Sequence, residues 1–162
     1  MTRDRIITLS CAITAFGALA TAWTAQYGFG LFPCELCMYQ RLPYLGIVAL
    51  CGLSALPVVD TDARRLAVAI AALLFLTTAA TGFYHVGVEQ EWWQTNCAPT
   101  GMQTFSFNDI QAALSRPGEP ACNEIAFEVL GISMAGYNMI AAMILAVLAG
   151  WSARTDRNWN AA

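Results

Sequence analysis

The chain consists of four long apolar runs separated by polar segments. The runs cover about residues 6–27, 42–59, 66–88 and 132–151. Each is close to the length, about 20 residues, that an α-helix needs to cross the hydrocarbon core of a bilayer. Alanine and glycine are frequent in all four runs, and small residues let helices approach closely in lipid. The pattern predicts an all-α membrane protein in which four transmembrane helices form a single integral membrane domain over residues 1–162.

The composition supports a membrane protein and argues against a nucleic-acid-binding protein. Of the 162 residues, 57% are hydrophobic and 12% are charged, about half the charged share of ordinary soluble domains. The net charge is -3, so no basic surface for phosphate contacts is expected. The first run has features of a cleavable signal peptide, but it is longer than the about 7 to 15 apolar residues of such peptides. We therefore expect it to be retained as a span.

The arginines predict how the bundle lies in the membrane. Six of the eight fall in the two terminal segments and in the loop between the second and third runs; only Arg41 and Arg116 fall elsewhere. Because short loops rich in positive charge stay in the cytoplasm, both termini should be cytoplasmic, and loops 28–41 and 89–131 should be exported. The capping pattern at 106–109 predicts a short amphipathic helix on the membrane surface within the second loop, or a helical turn packed on the bundle.

Four of the six cysteines fall in the two exported loops. Cys34 and Cys37 form a Cys-x-x-Cys motif in the first loop. Cys97 and Cys122 lie 25 residues apart in the second. Two sulfurs in a Cys-x-x-Cys motif can close a disulfide, and such motifs lower the pKa of the reactive thiol. The two other cysteines lie inside apolar spans and are expected to be inert buried residues: Cys11 and Cys51.

Two polar residues beside these loops are further candidates for the site. Arg41 follows Cys37 by one helical turn, so its guanidinium could stabilise that thiolate and an anionic acceptor next to it. Anchoring at the membrane interface is the alternative role of Arg41. His85 lies at the outer end of the third span, one turn before Glu89, where the two could carry protons. A side chain that only reaches for lipid headgroups would explain His85 equally well.

Two structural interpretations of the exported cysteines compete with a redox role. Both pairs could be inert disulfides that staple the loops. Alternatively, the four thiolates and His85 could bind zinc, but a gap of 25 residues is not typical of a compact zinc site. We expect no metal site. A cysteine pair beside an arginine at the bilayer surface favours redox chemistry over inert disulfides.

The order of these motifs on four spans resembles the disulfide bond formation protein B (DsbB) family of bacterial inner membranes. The resemblance covers essentially the whole chain. It includes the segment CELCMYQR at 34–41, the segment GFYHVGVEQ at 82–90, Cys97, Cys122 and the segment LGISM at 130–134. The resemblance implies the four-helix fold with two periplasmic loops and a multi-pass location in the inner membrane, with both termini cytoplasmic.

The resemblance also implies a reaction. It implies an oxidoreductase that reoxidises a periplasmic DsbA-like thiol oxidase and passes the electrons to a membrane quinone, either ubiquinone or menaquinone. The partner would attack a Cys97–Cys122 disulfide through Cys97, and Cys122 would then exchange with Cys34. Cys37 would be the thiolate against the quinone ring, with Arg41 stabilising the developing negative charge.

With Cys37 and Arg41, His85 is expected to bind the quinone. Two other functions stay open at this stage. The chain could act like vitamin K epoxide reductase, which also couples cysteine pairs to a quinoid ring, although there the Cys-x-x-Cys motif follows the loop pair in sequence. It could instead be a membrane scaffold whose exported disulfides are structural. An enzyme opens and recloses its disulfides, whereas a scaffold keeps them closed.

Overall fold

The structure is a computed structural model that describes residues 2–93, 122–123, 125, 127–155 and 159. Within these residues, four helices are long and apolar enough to cross a membrane, which confirms the predicted fold class. The helices are α1 (Arg3–Trp23), α2 (Glu35–Ser54), α3 (Thr61–Glu89) and α4 (Met134–Arg154). A π-helical turn (Thr24–Gly28) extends α1. A short antiparallel pair, β1 (Glu128–Val129) and β2 (Ile132–Ser133), precedes α4.

The second helix is displaced toward the N-terminus of the chain relative to the second apolar run. The run covers 42–59, whereas α2 starts at Glu35 and ends at Ser54. The helix starts early because the side chain of Cys34 caps it, accepting a hydrogen bond from the backbone N–H of Cys37 at 3.3 Å. Pro43 lies inside the helix, which continues through it. Cys37 therefore belongs to the first turn of a helix and not to a loop. The amphipathic helix predicted from the capping pattern at 106–109 lies outside the described residues.

The third helix packs against each of the other three. Gly82 allows its close approach to α4, because a Cβ atom at this position would lie 3.0 Å from Cβ and 3.2 Å from Cα of Met139. The core between the helices combines small residues with a few large side chains: Ala15, Leu19, Ile47, Val68, Ala71 and Phe75. Large apolar side chains such as Leu73 and Val147 are exposed, as lipid-facing residues of a bundle are.

Arginines close the end of the bundle that lies opposite the Cys-x-x-Cys motif. Arg64, near the start of α3, forms a buried ion pair with Asp4 of α1. Its guanidinium also donates to the backbone carbonyls of Ser54 at 3.1 Å and Leu56 at 2.9 Å. Carbonyls at helix C-termini lack partners within the helix, so these contacts satisfy them. Two further arginines bond helix-end carbonyls in the same way: Arg5 to Ala55 and Arg65 to Ala153.

Replacing Arg64 should destabilise the bundle. The Arg64→Leu variant leaves the carboxylate of Asp4 buried without its partner, and a lost hydrogen bond to a charged group costs about 2 kcal/mol. We expect a lower unfolding midpoint by circular dichroism in detergent. Arg3→Leu is the matched control, because Arg3 is exposed on α1, the helix that carries Asp4, and its loss should leave the midpoint almost unchanged. Equal midpoints for the two variants would contradict the structural role of Arg64.

Candidate functional site

The Cys-x-x-Cys pair lies where the start of α2 meets the end of α3. The sulfurs of Cys34 and Cys37 are 2.9 Å apart, and both are free thiols. Cys34 is 4% exposed, whereas Cys37 is half-buried. From α3, His85 places its Nε2 atom 3.5 Å from Sγ of Cys34. The three side chains form a compact polar cluster at one end of an apolar bundle.

A cysteine from the long loop packs against this pair. Cys122 is fully buried and belongs to a disulfide. It shares a small apolar cluster with Cys34 and Val88, flanked by Leu36, Cys37 and Trp93. The backbone of Cys122 also forms a hydrogen bond with His85. The structure therefore brings one cysteine of the long loop beside one cysteine of the Cys-x-x-Cys motif, although they are far apart in sequence.

Trp93 packs on the end of α3 next to the two cysteines. Its indole lies against Gly87, where an added Cβ atom would be only 2.0 Å from the ring. The indole N–H donates to the carbonyl of Tyr84 at 3.0 Å, and the two rings stack with centroids 5.6 Å apart. Gly87 is therefore required for the packing of Trp93 in this cluster.

The surroundings of Cys34 favour its thiolate form. The hydrogen bond from the Cys37 thiol contributes most, and His85 and the backbone N–H of Cys37 add to it. Together these interactions outweigh the effect of burial and lower the pKa of Cys34 from 9.0 to about 4. The N-terminus of α2 presents the positive end of the helix dipole to the same sulfur. Cys34 is thus ionised at neutral pH, which is the form that takes part in thiol–disulfide exchange.

A cavity of about 440 Å³ adjoins the cysteine pair. Its walls are mainly apolar side chains from α1, the segment before α2, the β1–β2 pair and the start of α4. The functional groups around it are Cys34, Cys37, Gln40, Arg41, Tyr44, His85, Glu89, Tyr137 and Asn138. Arg41 donates to Oε1 of Gln26 at 2.6 Å. An apolar cavity of this size with a few converging polar groups is typical of a small-molecule site.

A chain of side-chain hydrogen bonds connects the cavity wall to His85. The hydroxyl of Tyr44 donates to Oδ1 of Asn138 at 2.8 Å. Nδ2 of Asn138 donates to Oε1 of Gln40 at 2.6 Å. Nε2 of Gln40 lies 3.0 Å from Nδ1 of His85. The sequence patterns do not predict this chain of Tyr44, Asn138 and Gln40, although a polar Asn138 inside an apolar span is a usable signal.

Glu89 approaches the other side of His85. Its Oε1 atom is 3.8 Å from Nε2 of His85. The carboxylate accepts a hydrogen bond from the hydroxyl of Ser133, which itself caps α4 by accepting from the N–H of Gly136 at 3.1 Å. Ser133 therefore couples the end of α3 to the start of α4 and fixes the carboxylate near the imidazole.

The donor atoms of three site residues also meet the distance requirement for a shared metal ion. The two sulfurs and a ring nitrogen of His85 all lie within 4.8 Å of one another. The sequence predicts no metal site, because a gap of 25 residues between the two cysteines of the long loop is not typical of a compact zinc site. Cys34, Cys37 and His85 come together only through the packing of α2 on α3.

The structure brings five of the six predicted site residues together: Cys34, Cys37, Arg41, His85 and Cys122. The sixth, Cys97, lies outside the described residues. Cys11 and Cys51 are elsewhere, in the core between the helices, where their thiols hydrogen-bond to each other. Neither lines the cavity.

The fold and the site define the chain as an integral membrane protein with two closely spaced cysteine thiols beside an apolar cavity. A family model described as "Disulfide bond formation protein DsbB" matches residues 4–152. The chain belongs to the DsbB family, and its role is that of a disulfide-forming oxidoreductase.

Relatives cover most of the chain. Disulfide bond formation protein B of Stutzerimonas stutzeri (strain A1501) is 29% identical over 143 residues, which cover 82% of this chain and 84% of the relative. Disulfide bond formation protein B 2 of Pseudomonas savastanoi pv. phaseolicola is 30% identical over 159 residues, covering 91% and 87%. An uncharacterized protein of Rickettsia prowazekii is 29% identical over 152 residues, with the same coverage of each chain.

The low pKa of Cys34 predicts how the alkylation rate of this thiol in the reduced protein depends on pH. Because the thiolate predominates above the pKa, alkylation of Cys34 by iodoacetamide should keep a nearly constant rate from neutral pH down to about pH 5. Below the pKa the rate should fall about tenfold per pH unit. Mass spectrometry with fragment-ion assignment measures each cysteine separately, with Cys11 and Cys51 as slow internal references because, unlike Cys34, they do not line the cavity.

A matched variant tests the cause of the low pKa. Cys37→Ala removes the largest stabilising hydrogen bond and should move the midpoint of Cys34 alkylation to higher pH. A midpoint near the ordinary thiol value in the unmodified protein would contradict the assignment.

Proposed function

We propose that this protein oxidises a periplasmic thioredoxin-fold dithiol oxidase of the DsbA type and passes the electrons through two cysteine pairs to a membrane quinone. The observation that carries the proposal is the position of Cys122, which packs against Cys34 while Cys34 and Cys37 line the apolar cavity. The long-loop cysteine Cys122 thus meets the Cys-x-x-Cys pair at Cys34. The Cys-x-x-Cys pair in turn adjoins an apolar cavity that suits a lipid-soluble molecule. The result is continuous disulfide formation in exported proteins.

The first half of the relay exchanges disulfides between proteins. A thiolate of the reduced partner attacks Cys97, breaks the Cys97–Cys122 bond and forms a mixed disulfide. The released thiolate of Cys122 attacks Cys34 in the Cys34–Cys37 disulfide, forming a Cys122–Cys34 bond and releasing the thiolate of Cys37. Each exchange forms one S–S bond and breaks one, so the electron pair moves inward without any loss.

The second half restores the long-loop disulfide. The second thiol of the partner displaces Cys97 from the mixed disulfide, so the partner leaves oxidised. Cys97 then attacks Cys122, re-forms the Cys97–Cys122 bond and leaves Cys34 and Cys37 reduced. In sum, two electrons and two protons leave the partner dithiol for each cycle.

The cavity fits a quinone ring by volume, apolar lining and the placement of the thiols at its edge. Quinone bound there would supply the terminal acceptor, which takes two electrons and two protons. On the protein side, Cys37 is the more exposed residue of the pair. Arg41 also lines the cavity and provides positive charge there. His85 and Glu89, 3.8 Å apart, are the two candidate groups for proton transfer at this site.

The proposed orientation places the cysteine end of the bundle in the periplasm and both termini in the cytoplasm of a bacterial cell, with the chain in the inner membrane. The arginine-rich end, formed around Arg64 and Asp4, supports this orientation because positive charge favours the cytoplasmic side.

Turnover of a purified system tests the proposal. The protein, a reduced DsbA-type dithiol protein and a soluble ubiquinone or menaquinone analogue are mixed, and quinone absorbance is followed. Four single variants should each abolish turnover, because every exchange needs its sulfur: Cys34→Ser, Cys37→Ser, Cys97→Ser and Cys122→Ser. The Cys11→Ser/Cys51→Ser double variant is the control and should retain activity. A scaffold with structural disulfides would reduce no quinone even as the intact protein.

A substitution at Arg41 separates use of quinone from exchange with the partner. Arg41→Met should raise KM for quinone about tenfold, since a charge-assisted contact of roughly 1.5 kcal/mol is lost. The rate at which the partner forms a mixed disulfide should not change. Gln26→Ala keeps the charge of Arg41 but removes its hydrogen bond. The KM of this variant for quinone should therefore lie between the values of the unmodified protein and Arg41→Met. Slower partner exchange in Arg41→Met would contradict this role.

A further inference from the structure

His85 is the only histidine of the chain, and its two ring nitrogens have different neighbours. The side chain is 3% exposed. Nδ1 lies 3.0 Å from Nε2 of Gln40. An amide nitrogen carries two hydrogens and can only donate, so Nδ1 must be the acceptor in this contact. The proton of the neutral ring therefore belongs on Nε2.

The orientation of the Gln40 amide is itself fixed. Its Oε1 accepts from Nδ2 of Asn138 at 2.6 Å, and Oδ1 of Asn138 accepts from the hydroxyl of Tyr44 at 2.8 Å. Reversing the chain requires both amides to turn together and Tyr44 to stop donating. Because Gln40 and Tyr44 are buried, a half-turned chain would leave polar atoms without partners inside the bundle.

Two acceptors lie near Nε2. Sγ of Cys34 is 3.5 Å away and Oε1 of Glu89 is 3.8 Å away. The backbone of Cys122 is a further hydrogen-bond partner of the ring. We propose that Gln40, Asn138 and Tyr44 are positioning residues that hold His85 in the tautomer with hydrogen on Nε2, directed at the sulfur of Cys34. The other titratable groups around the cavity are Cys37, Arg41 and Tyr137.

This tautomer opposes the competing use of the site as a metal centre. A metal ion shared with Cys34 and Cys37 would need the lone pair of the ring nitrogen that faces the sulfurs, which is Nε2. That lone pair is taken by the proton as long as Gln40 donates to Nδ1. The hydrogen-bond chain thus favours a hydrogen-bond donor at the dithiol over a metal ligand.

The consequence for catalysis rests on the proposed function. Cys34 must leave as a thiolate when Cys97 attacks the Cys122–Cys34 disulfide, and a thiol that leaves more readily speeds the exchange. A fixed N–H donor beside Cys34 stabilises that leaving thiolate. Gln40, Asn138 and Tyr44 would act on the reaction only through His85.

Nitrogen NMR of the single histidine tests the tautomer directly. In reduced, ¹⁵N-histidine-labelled protein in detergent micelles at neutral pH, Nε2 should be protonated and Nδ1 unprotonated. In Gln40→Leu this preference should weaken or reverse. A protonated Nδ1 in the unmodified protein, or an unchanged pattern in Gln40→Leu, would overturn the inference. The measurement involves neither quinone nor partner protein, so it can fail or succeed independently of the proposed function.

The midpoint of Cys34 alkylation provides a second readout. Gln40→Leu should raise it by about one pH unit, because the N–H donor is no longer fixed. Asn138→Leu should cause a smaller rise. Tyr44→Phe keeps the ring packed edge-on against Phe75 and should cause the smallest rise. It is the variant to measure if Gln40→Leu or Asn138→Leu impairs folding.

A double variant distinguishes positioning from general structure. In a His85→Ala background, Gln40→Leu should produce no further change of the midpoint, because the chain acts only through the imidazole. Shifts that add in the double variant would show that Gln40 affects Cys34 by another route and would overturn the positioning role.

Discussion

Cys34 is the N-cap of α2, and its surroundings favour the thiolate form of its sulfur. Its Sγ atom accepts the N–H of Cys37, so the start of α2 and the position of the thiolate are set by the same hydrogen bond. The spacing of the motif then places Cys37 in the first turn, with its sulfur against that of Cys34. The remaining parts of the site depend on this start, because His85, Cys122 and the cavity are all arranged around these two sulfurs.

The apolar bundle explains why the polar residues of the site form an extended network. In a membrane protein an unpaired polar group is costly, since no water reaches it to compensate. A histidine facing Cys34 needs a partner for Nδ1, which Gln40 provides, and Gln40 in turn needs Asn138. Tyr44 ends the series at the cavity wall. Among the described residues, no buried side-chain nitrogen or oxygen atom lacks a hydrogen-bond partner.

Sequence patterns predict the four spans and single out the cysteines of the candidate site. They do not predict how the helices bring these cysteines together. Four spans follow from hydropathy, because crossing a bilayer requires about 20 apolar residues. The start of α2 does not follow, since hydropathy cannot detect a polar first turn held by the side chain of Cys34. The approach of Cys122 to Cys34 depends on how the chain returns to the bundle, and here only the family resemblance suggested it. The link between Gln40 and Asn138 joins residues far apart in sequence and depends on helix packing.

The direction of the hydrogen-bond chain also limits how His85 can handle protons. To carry a second proton, the ring would have to donate from Nδ1, and Gln40 would have to turn its Oε1 toward it. Asn138 would then turn as well, and the hydroxyl of Tyr44 would become an acceptor, leaving its own hydrogen free to point elsewhere in the cavity. Protonation of His85 would thus alter the hydrogen bonding of a group on the cavity wall. Donation from Nε2 to Cys34 needs no such rearrangement, so stabilising the thiolate is the less costly role, and Glu89 is the group better placed to exchange protons without turning the chain.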